Sequence, residues 1–226
     1  MADLIVGAIF FAMRSCEYCT VQSSDHRTRR LCLCNIRFFR GRTEIPHHDN
    51  ISAADSIAIT FEFQKNDVKW DTVTMSSTQD ATLCPVKAWA AIVRRLWLIP
   101  GTTPDTPVNK VQINGICFEL TSNLILGTLR AVVEDLGPGI LGYRKADIGT
   151  HSLRSGCAMA MHLAGIPVYM MMLIGRWSSE AFMVYIQRQV KEFATNVSAK
   201  MIQQEPFYII PAYATIFSGS NSNTSH

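Results

Sequence analysis

The sequence is poor in charged residues. They make up 17% of its 226 residues and leave a formal net charge of only +3. Because this net charge is weak, any affinity for a polyanion must come from where the basic residues lie. Hydrophobic residues make up 48%, which is enough to build a substantial core and excludes a chain that is disordered throughout.

The sequence also lacks the features of secreted and membrane-anchored chains. The apolar stretch at residues 4–13 is well short of the roughly 20 residues that cross a bilayer. Asp3 stands where a secretory signal would carry positive charge. We expect no membrane association, and we interpret the stretch as part of a buried helix.

The seven cysteines do not predict a disulfide framework, because their number is odd and their spacing is irregular. Free thiols are typical of a reducing compartment, so we expect an intracellular location, nuclear if the source is eukaryotic. Cys16, Cys19, Cys32 and Cys34 form a CxxC followed by a CxC, which lacks the paired spacing of zinc knuckles. No metal site is expected.

Positive charge is concentrated in residues 27–42, RTRRLCLCNIRFFRGR, which contain six arginines and no acidic residue. One interpretation is a surface that contacts the DNA backbone without reading bases. The other is a solvated pair of strands that carries arginines on its surface. The residues concerned are Arg27, Arg29, Arg30, Arg37, Arg40 and Arg42.

Hydrophobic periodicity predicts an α+β class, mainly helical, with a small antiparallel sheet of three strands. Residues 3–22 are predicted to form one helix, in which Glu17 pairs with Arg14 three residues before it. The predicted strands are 30–39, 57–63 and 71–75, with a polar hairpin between the last two. Further helices are predicted at 86–98 and 121–136, and the proline-containing residues 100–114 between them are predicted to be a loop.

Residues 147–187 contain closely spaced helix signals. Thr150 can cap a helix that ends at Gly165, and Pro167 suits the first turn of a helix that ends near Gly175. His151 and Arg154 are three residues apart and are predicted to share a face of the first of these helices. A third helix, capped by Ser178 or Ser179, would carry Tyr185 about two turns in.

These motifs resemble the catalytic domain of the tyrosine recombinase (phage integrase) family, and most closely its members from eukaryotic mobile elements such as DIRS-like retrotransposons and cryptons. The resemblance is strongest in THSLRSG at 150–156 and GRWSSEAFMVYI at 175–186. It implies the DNA breaking-rejoining enzyme fold, with a catalytic domain over residues 1–195 and no N-terminal core-binding domain. Residues 196–226 would form a C-terminal segment with a disordered end.

The resemblance also implies a phosphate-binding set of residues. Arg14 and Arg154 would bind the two non-bridging oxygens of the scissile phosphate, a task that suits planar, permanently charged guanidinium groups. His151 would be the first residue of the family's H-x-x-R pair. Trp177 stands where most bacterial members have histidine, and its indole N–H could donate to a phosphate oxygen.

The same resemblance assigns the acid and the nucleophile. Lys65, in the hairpin FEFQKNDVKW, would protonate the leaving 5′ oxygen, and Lys69 in the same hairpin is a rival for that role. Tyr185 would attack the phosphate and form a 3′-phosphotyrosyl link, which keeps the bond energy for rejoining. No metal or cofactor is implied.

The expected partner is double-stranded DNA, bound by a homotetramer that carries out site-specific recombination or DNA integration. Two other functions are compatible with the sequence. One is a catalytically inactive or truncated relic that binds DNA or another protein. The other is a helical regulatory module that resembles the family only in structure.

Overall fold

The fold is that of a computed structural model that describes residues 1–22, 28–63, 69–78, 80–179 and 183. All of them belong to one unit, Met1–Tyr185. The predicted boundary between residues 195 and 196, and the segment that follows it, lie outside the described residues.

Groups of helices and groups of antiparallel strands follow one another along the described part of the chain. The helices are α1 (Ala2–Phe10), α2 (Ser15–Tyr18), α3 (Pro85–Trp97), α4 (Ser122–Leu136), α5 (Pro138–Leu141), α6 (Ser152–Leu163) and α7 (Val168–Gly175). The strands are β1 (Ile36–Arg40), β2 (Thr43–Ile45), β3 (Ser56–Phe63), β4 (Lys69–Ser76), β5 (Lys110–Ile113) and β6 (Ile116–Glu119). Short 3-10 turns at Leu33–Asn35, Ile51–Ala53 and Lys145–Asp147 join some of them.

The main sheet has four strands, not the three that were predicted. Its order is β2-β1-β3-β4, and every neighbouring pair is antiparallel. The extra strand arises because Gly41, in the left-handed region at φ 59°, turns the chain back so that Thr43 pairs with Arg40. Thr43–Ile45 is too short and polar for a hydrophobic pattern to reveal it.

The first strand also begins later than residue 30, its predicted start. The Asn35 side chain accepts a hydrogen bond from the Cys32 N–H at 2.8 Å, which closes a 3-10 turn just before β1. Asparagine favours such local turns over a strand because its side chain competes for backbone N–H groups.

The predicted helix over residues 3–22 is wrong as a continuous element. It ends at Phe10, Ala12 adopts a left-handed conformation at φ 46°, and a separate short helix starts at Ser15. The carbonyls of Phe11 and Ala12, which follow α1, accept hydrogen bonds from Arg176 and Arg154. These distant side chains satisfy the carbonyls at a helix end that a longer helix would have bonded internally.

The predicted loop at 100–114 is also wrong in part, because it ends in a β-hairpin. Strands β5 and β6 pair around Asn114 and Gly115, which both have positive φ, at 51° and 79°. Asn-Gly is the residue pair that a tight hairpin turn favours.

The four longer helices after the sheet lie close to their predicted positions. Helix α4 begins after Thr121, whose hydroxyl oxygen accepts a hydrogen bond from the Leu124 N–H at 3.2 Å. Helix α6 is capped by His151, one residue later than the predicted Thr150. Helix α3 has a proline in its first turn and α4 has a threonine cap, so local sequence determines where these two helices begin.

The core lies where α1 and α3 cross beside the sheet. Trp89 on α3 is fully buried and meets Phe11 edge to face, with ring centroids 6.3 Å apart. Gly7 on α1 lets the two helices approach, because a Cβ atom there would lie 2.6 Å from the Trp89 indole nitrogen. Apolar residues of β1 and β3 complete this core: Ile36, Phe38, Ile57 and Ile59.

We expect Gly7→Ala to lower the free energy of unfolding by about 1–3 kcal/mol, the usual cost of overpacking a tight core. The matched control is Gly127→Ala in α4, where nothing lies within 4 Å of the added methyl group. That change should stabilise by about 0.5–1 kcal/mol, since alanine suits a helix interior better than glycine. Urea unfolding of both variants measures the difference, and equal shifts would contradict the close approach of α1 and α3.

All seven cysteines are free thiols. Within the described ranges, no cluster of three His, Cys, Asp or Glu side chains is arranged to hold a metal ion. In the same part of the chain, no helix has the length and apolarity needed to span a membrane.

Candidate active site

The candidate site is built around residues 11–17, which are the link between α1 and α2 and the first three residues of α2. Two arginines from the far end of the chain reach this segment. Nη1 of Arg154 donates to the Ala12 carbonyl, and Nη1 of Arg176 donates to the preceding Phe11 carbonyl at 2.9 Å. The carbonyl end of a helix attracts cations, which favours this arrangement.

Arg14 lies in the same segment, but not inside a core helix as predicted. It is the residue that caps α2, with extended backbone angles. The Glu17 carboxylate accepts from the Arg14 backbone N–H at 2.8 Å and from its Nη1 at 3.1 Å. Glu17 is fully buried, whereas 15% of the Arg14 side chain is exposed, so the guanidinium group is held at the edge of the site.

Arg154 is 3% exposed and is held by backbone groups on two sides. Besides the Ala12 carbonyl, it donates through Nη2 to the Gly175 carbonyl at 2.5 Å. Its Cζ atom lies 4.6 Å from the centroid of the Trp177 ring. Arginine suits this position because a planar guanidinium can donate in two directions and stack on an aromatic ring at once.

Trp177 lies directly against the end of α7. A Cβ atom on Gly175 would be 1.9 Å from the Trp177 ring, so only glycine allows the ring to lie there. The ring is half-buried between this glycine and Arg154. Trp177 and Arg154 are therefore in contact, and their roles at a phosphate stay a prediction.

His151 is placed near Arg154 in sequence but in a different environment. It caps α6 without a capping hydrogen bond from its side chain, and it is exposed. Its backbone carbonyl accepts from the Ser155 N–H and hydroxyl, both at 2.9 Å. Arg154 faces the core and His151 faces solvent, so the two do not share one buried face.

Two of the six predicted residues, Lys65 and Tyr185, lie outside the described residues. The structure does describe the strands that flank the Lys65 hairpin, where Phe63 pairs with Lys69. The ring centroid of Phe61, on the first of these strands, lies 3.6 Å from the Cζ atom of Arg176. The backbone of Lys69, the alternative candidate for the acid, lies at the start of β4. The structure does not describe the Lys69 side chain.

A buried thiol next to this cluster is not activated. Burial raises the pKa of Cys157 to about 11, although the Ala12 backbone and the Arg154 and Arg176 guanidinium groups lower it. A thiol with this pKa is protonated at neutral pH and is a poor nucleophile. Cys157 is therefore not a candidate nucleophile at this site.

The predicted DNA-backbone arginines fall into two groups. Arg29 pairs with Glu62, and Arg30 pairs with Glu119 at 2.5 Å, so acidic residues that are distant in sequence compensate both charges. The others that the structure describes, Arg37, Arg40 and Arg42, are exposed on the β1–β2 hairpin. Arg27 lies outside the described residues.

Arg176 belongs to this cluster but was not predicted from the sequence. Its side chain is 1% exposed, and Nη2 donates to Glu17 at 2.7 Å. Burial lowers its pKa from the ordinary arginine value, and the Glu17 carboxylate opposes this by favouring the charged form. An arginine directly after Gly175, at the end of the apolar run MMMLIG, was the available signal, since buried arginines need a partner.

No protein-family model matches the chain, and no curated protein matches it. Among solved structures, it is similar to the integrase of transposon Tn1549, determined in complex with transposon right-end DNA. The TM-score is 0.38 and the sequence identity 12%, over 85% of this chain. The chain corresponds to 58% of the length of that integrase chain.

Proposed function

We propose that the chain is a tyrosine recombinase catalytic domain that cleaves and rejoins DNA through Tyr185. The observation that carries this proposal is that Arg154 bonds the Ala12 carbonyl, two residues before Arg14, and stacks on Trp177. Arg14 and Arg154 are distant in sequence, and Ala12 and its partner Arg154 are 142 positions apart.

The proposed chemistry is phosphoryl transfer. The Tyr185 oxygen attacks the scissile phosphorus and its phenolic proton passes to solvent. The bond to the 5′ oxygen breaks, and that oxygen takes a proton from Lys65, which solvent then protonates again. Arg14 and Arg154 bind the non-bridging oxygens as negative charge develops, and Trp177 and His151 supply further N–H donors. The reverse attack by a 5′ hydroxyl restores the phosphodiester and frees the tyrosine.

Preorganisation supports this role for Arg154. Its guanidinium is fixed by two backbone carbonyls and by the Trp177 ring, so little reorganisation is needed when a phosphate approaches. We also propose, from the family resemblance, that the DNA breaking-rejoining fold extends over residues 1–195 and that a homotetramer assembles on DNA.

The test is covalent trapping on a pool of nicked DNA duplexes with randomised sequence. An active chain forms a protein–DNA adduct that survives denaturant, and the adduct is absent in Tyr185→Phe. Folded protein that binds the duplexes but forms no adduct would instead support the inactive relic. Sequencing the trapped DNA would identify the target.

Binding of the DNA backbone by the β1–β2 hairpin can be tested separately. Each phosphate contact contributes about 0.9 to the slope of log affinity against log salt concentration. We expect Arg42→Gln to reduce that slope by about 0.9, the contribution of one contact. Arg29→Gln should reduce it by much less, because Arg29 is paired with Glu62. Fluorescence anisotropy with one labelled duplex, between about 50 and 200 mM salt, measures both.

Equal slopes for wild type and Arg42→Gln would mean that the hairpin is not part of the DNA-binding surface. A larger change in Arg29→Gln than in Arg42→Gln would mean that the Glu62 pair opens when DNA binds. Both variants should fold as the wild type does, since the altered side chains are largely exposed.

A further inference from the structure

Arg176 occupies a backbone position that does not favour it. It directly follows α7 in the left-handed region, at φ 54° and ψ 45°. Glycine or asparagine is usual there, because a larger side chain is strained in this conformation. The contacts of the Arg176 side chain must therefore offset a backbone cost.

Those contacts join three parts of the candidate site. Besides the Phe11 carbonyl and the Glu17 carboxylate, Nη1 of Arg176 donates to the Ile174 carbonyl at 3.3 Å. Its guanidinium lies over the ring of Phe61 on β3, the strand that leads into the Lys65 hairpin. Trp177 is its immediate neighbour in the chain.

Glu17 transmits this constraint to Arg14. Its Oε2 atom accepts from both Arg176 Nη2, at 2.7 Å, and the Arg14 backbone N–H, at 2.8 Å. Its Oε1 atom is thereby directed toward Arg14 Nη1, at 3.1 Å. Without Arg176, the carboxylate would lose the charged group that fixes one of its oxygens, and the partly exposed Arg14 would lose a fixed partner.

We propose that Arg176 is a positioning residue that acts through Glu17 to hold the Arg14 guanidinium at the phosphate-binding site. The inference rests on the proposed function, in which Arg14 binds the scissile phosphate. It assigns Arg176 no contact with DNA. Its effect is on the rate of cleavage, because a fixed guanidinium stabilises the transition state better than one that must first be ordered.

The first test follows Arg14 directly, by side-chain ¹⁵N NMR of its guanidinium in the full chain, with signals assigned through Arg14→Lys. Arg176→Met and Arg176→Gln are expected to shift and broaden these signals. Arg176→Lys, which keeps a charge for Glu17, should restore them in part. The matched control is Arg130→Met, which removes an arginine that donates to the Ile148 carbonyl away from the site. Unchanged Arg14 signals in a folded neutral variant overturn the proposal.

The second test measures adduct formation at saturating DNA. We expect Arg176→Gln to slow it by about 100-fold, with DNA affinity unchanged. In an Arg14→Ala background the same change should cost nothing further, because it acts through Arg14. A full additional loss in that background indicates a purely structural role and overturns the proposal. If the wild type forms no adduct, the proposed function fails, whereas the NMR comparison still decides whether Arg176 positions Arg14.

Discussion

Arg154→Lys is expected to slow DNA cleavage by about 100- to 1000-fold, the usual loss when a preorganised transition-state donor is removed. The substitution keeps the positive charge, so the loss would come from geometry. A lysine ammonium cannot donate to the Ala12 and Gly175 carbonyls and also stack on Trp177, as the guanidinium does.

The same variant should be less stable by about 1–3 kcal/mol, because at least one buried carbonyl loses its partner. Urea unfolding gives this value, and covalent trapping gives the rate. Arg144→Lys is the matched control, since the Arg144 side chain is exposed and its guanidinium lies 3.9 Å from Asp147. Cleavage at the wild-type rate by Arg154→Lys would exclude a bidentate role for Arg154.

Glu17→Gln is expected to lower the free energy of unfolding by about 3–5 kcal/mol, the range found when one partner of a buried ion pair is removed. Glutamine matches glutamate in shape, so the cost would be electrostatic. The buried Arg176 loses its carboxylate, and an amide NH₂ group replaces one of the oxygens that now accept from arginine N–H groups.

The control for this prediction is Glu134→Gln. Glu134 also pairs with a cation, Lys145, at 2.5 Å, but both side chains are more than half exposed. We expect its effect to be within about 0.5 kcal/mol. If Glu17→Gln unfolds at the same urea concentration as the wild type, the buried pair does not hold the segment after α1.

The elements that the sequence predicted well are those that carry their own boundary signals. Helix α4 has a threonine cap, and α3 has a proline in its first turn. The division of the first helix could not be predicted, because the groups that end it, Arg154 and Arg176, are far away in the sequence. The β5–β6 hairpin was predictable in principle from Asn114 and Gly115, but the prolines before it indicated a loop.

The contacts of the candidate site could be predicted only in part. The family resemblance grouped Arg14, Arg154 and Trp177, and in the structure Arg154 stacks on Trp177 and bonds the Ala12 carbonyl, whereas the roles of the three residues stay predictions. It did not reveal Arg176, since a resemblance of short motifs marks expected roles and not the contacts that support them. Nor could periodicity show that Glu62 and Glu119 compensate two arginines of the basic segment, since such pairs form only after the sheet and hairpins fold.

The arginines that hold the carbonyls after α1 also bear on the order of folding. Because these contacts join residues more than 140 positions apart, we expect them to form late, after local helices and hairpins. The Arg14 N–H, bonded to Glu17, should gain protection in pulsed hydrogen exchange together with α6 and α7, and later than the interior of α1. A nascent or partly folded chain would then expose its helices without presenting an ordered Arg14 to DNA, so competence for cleavage would arise only when the last helices dock.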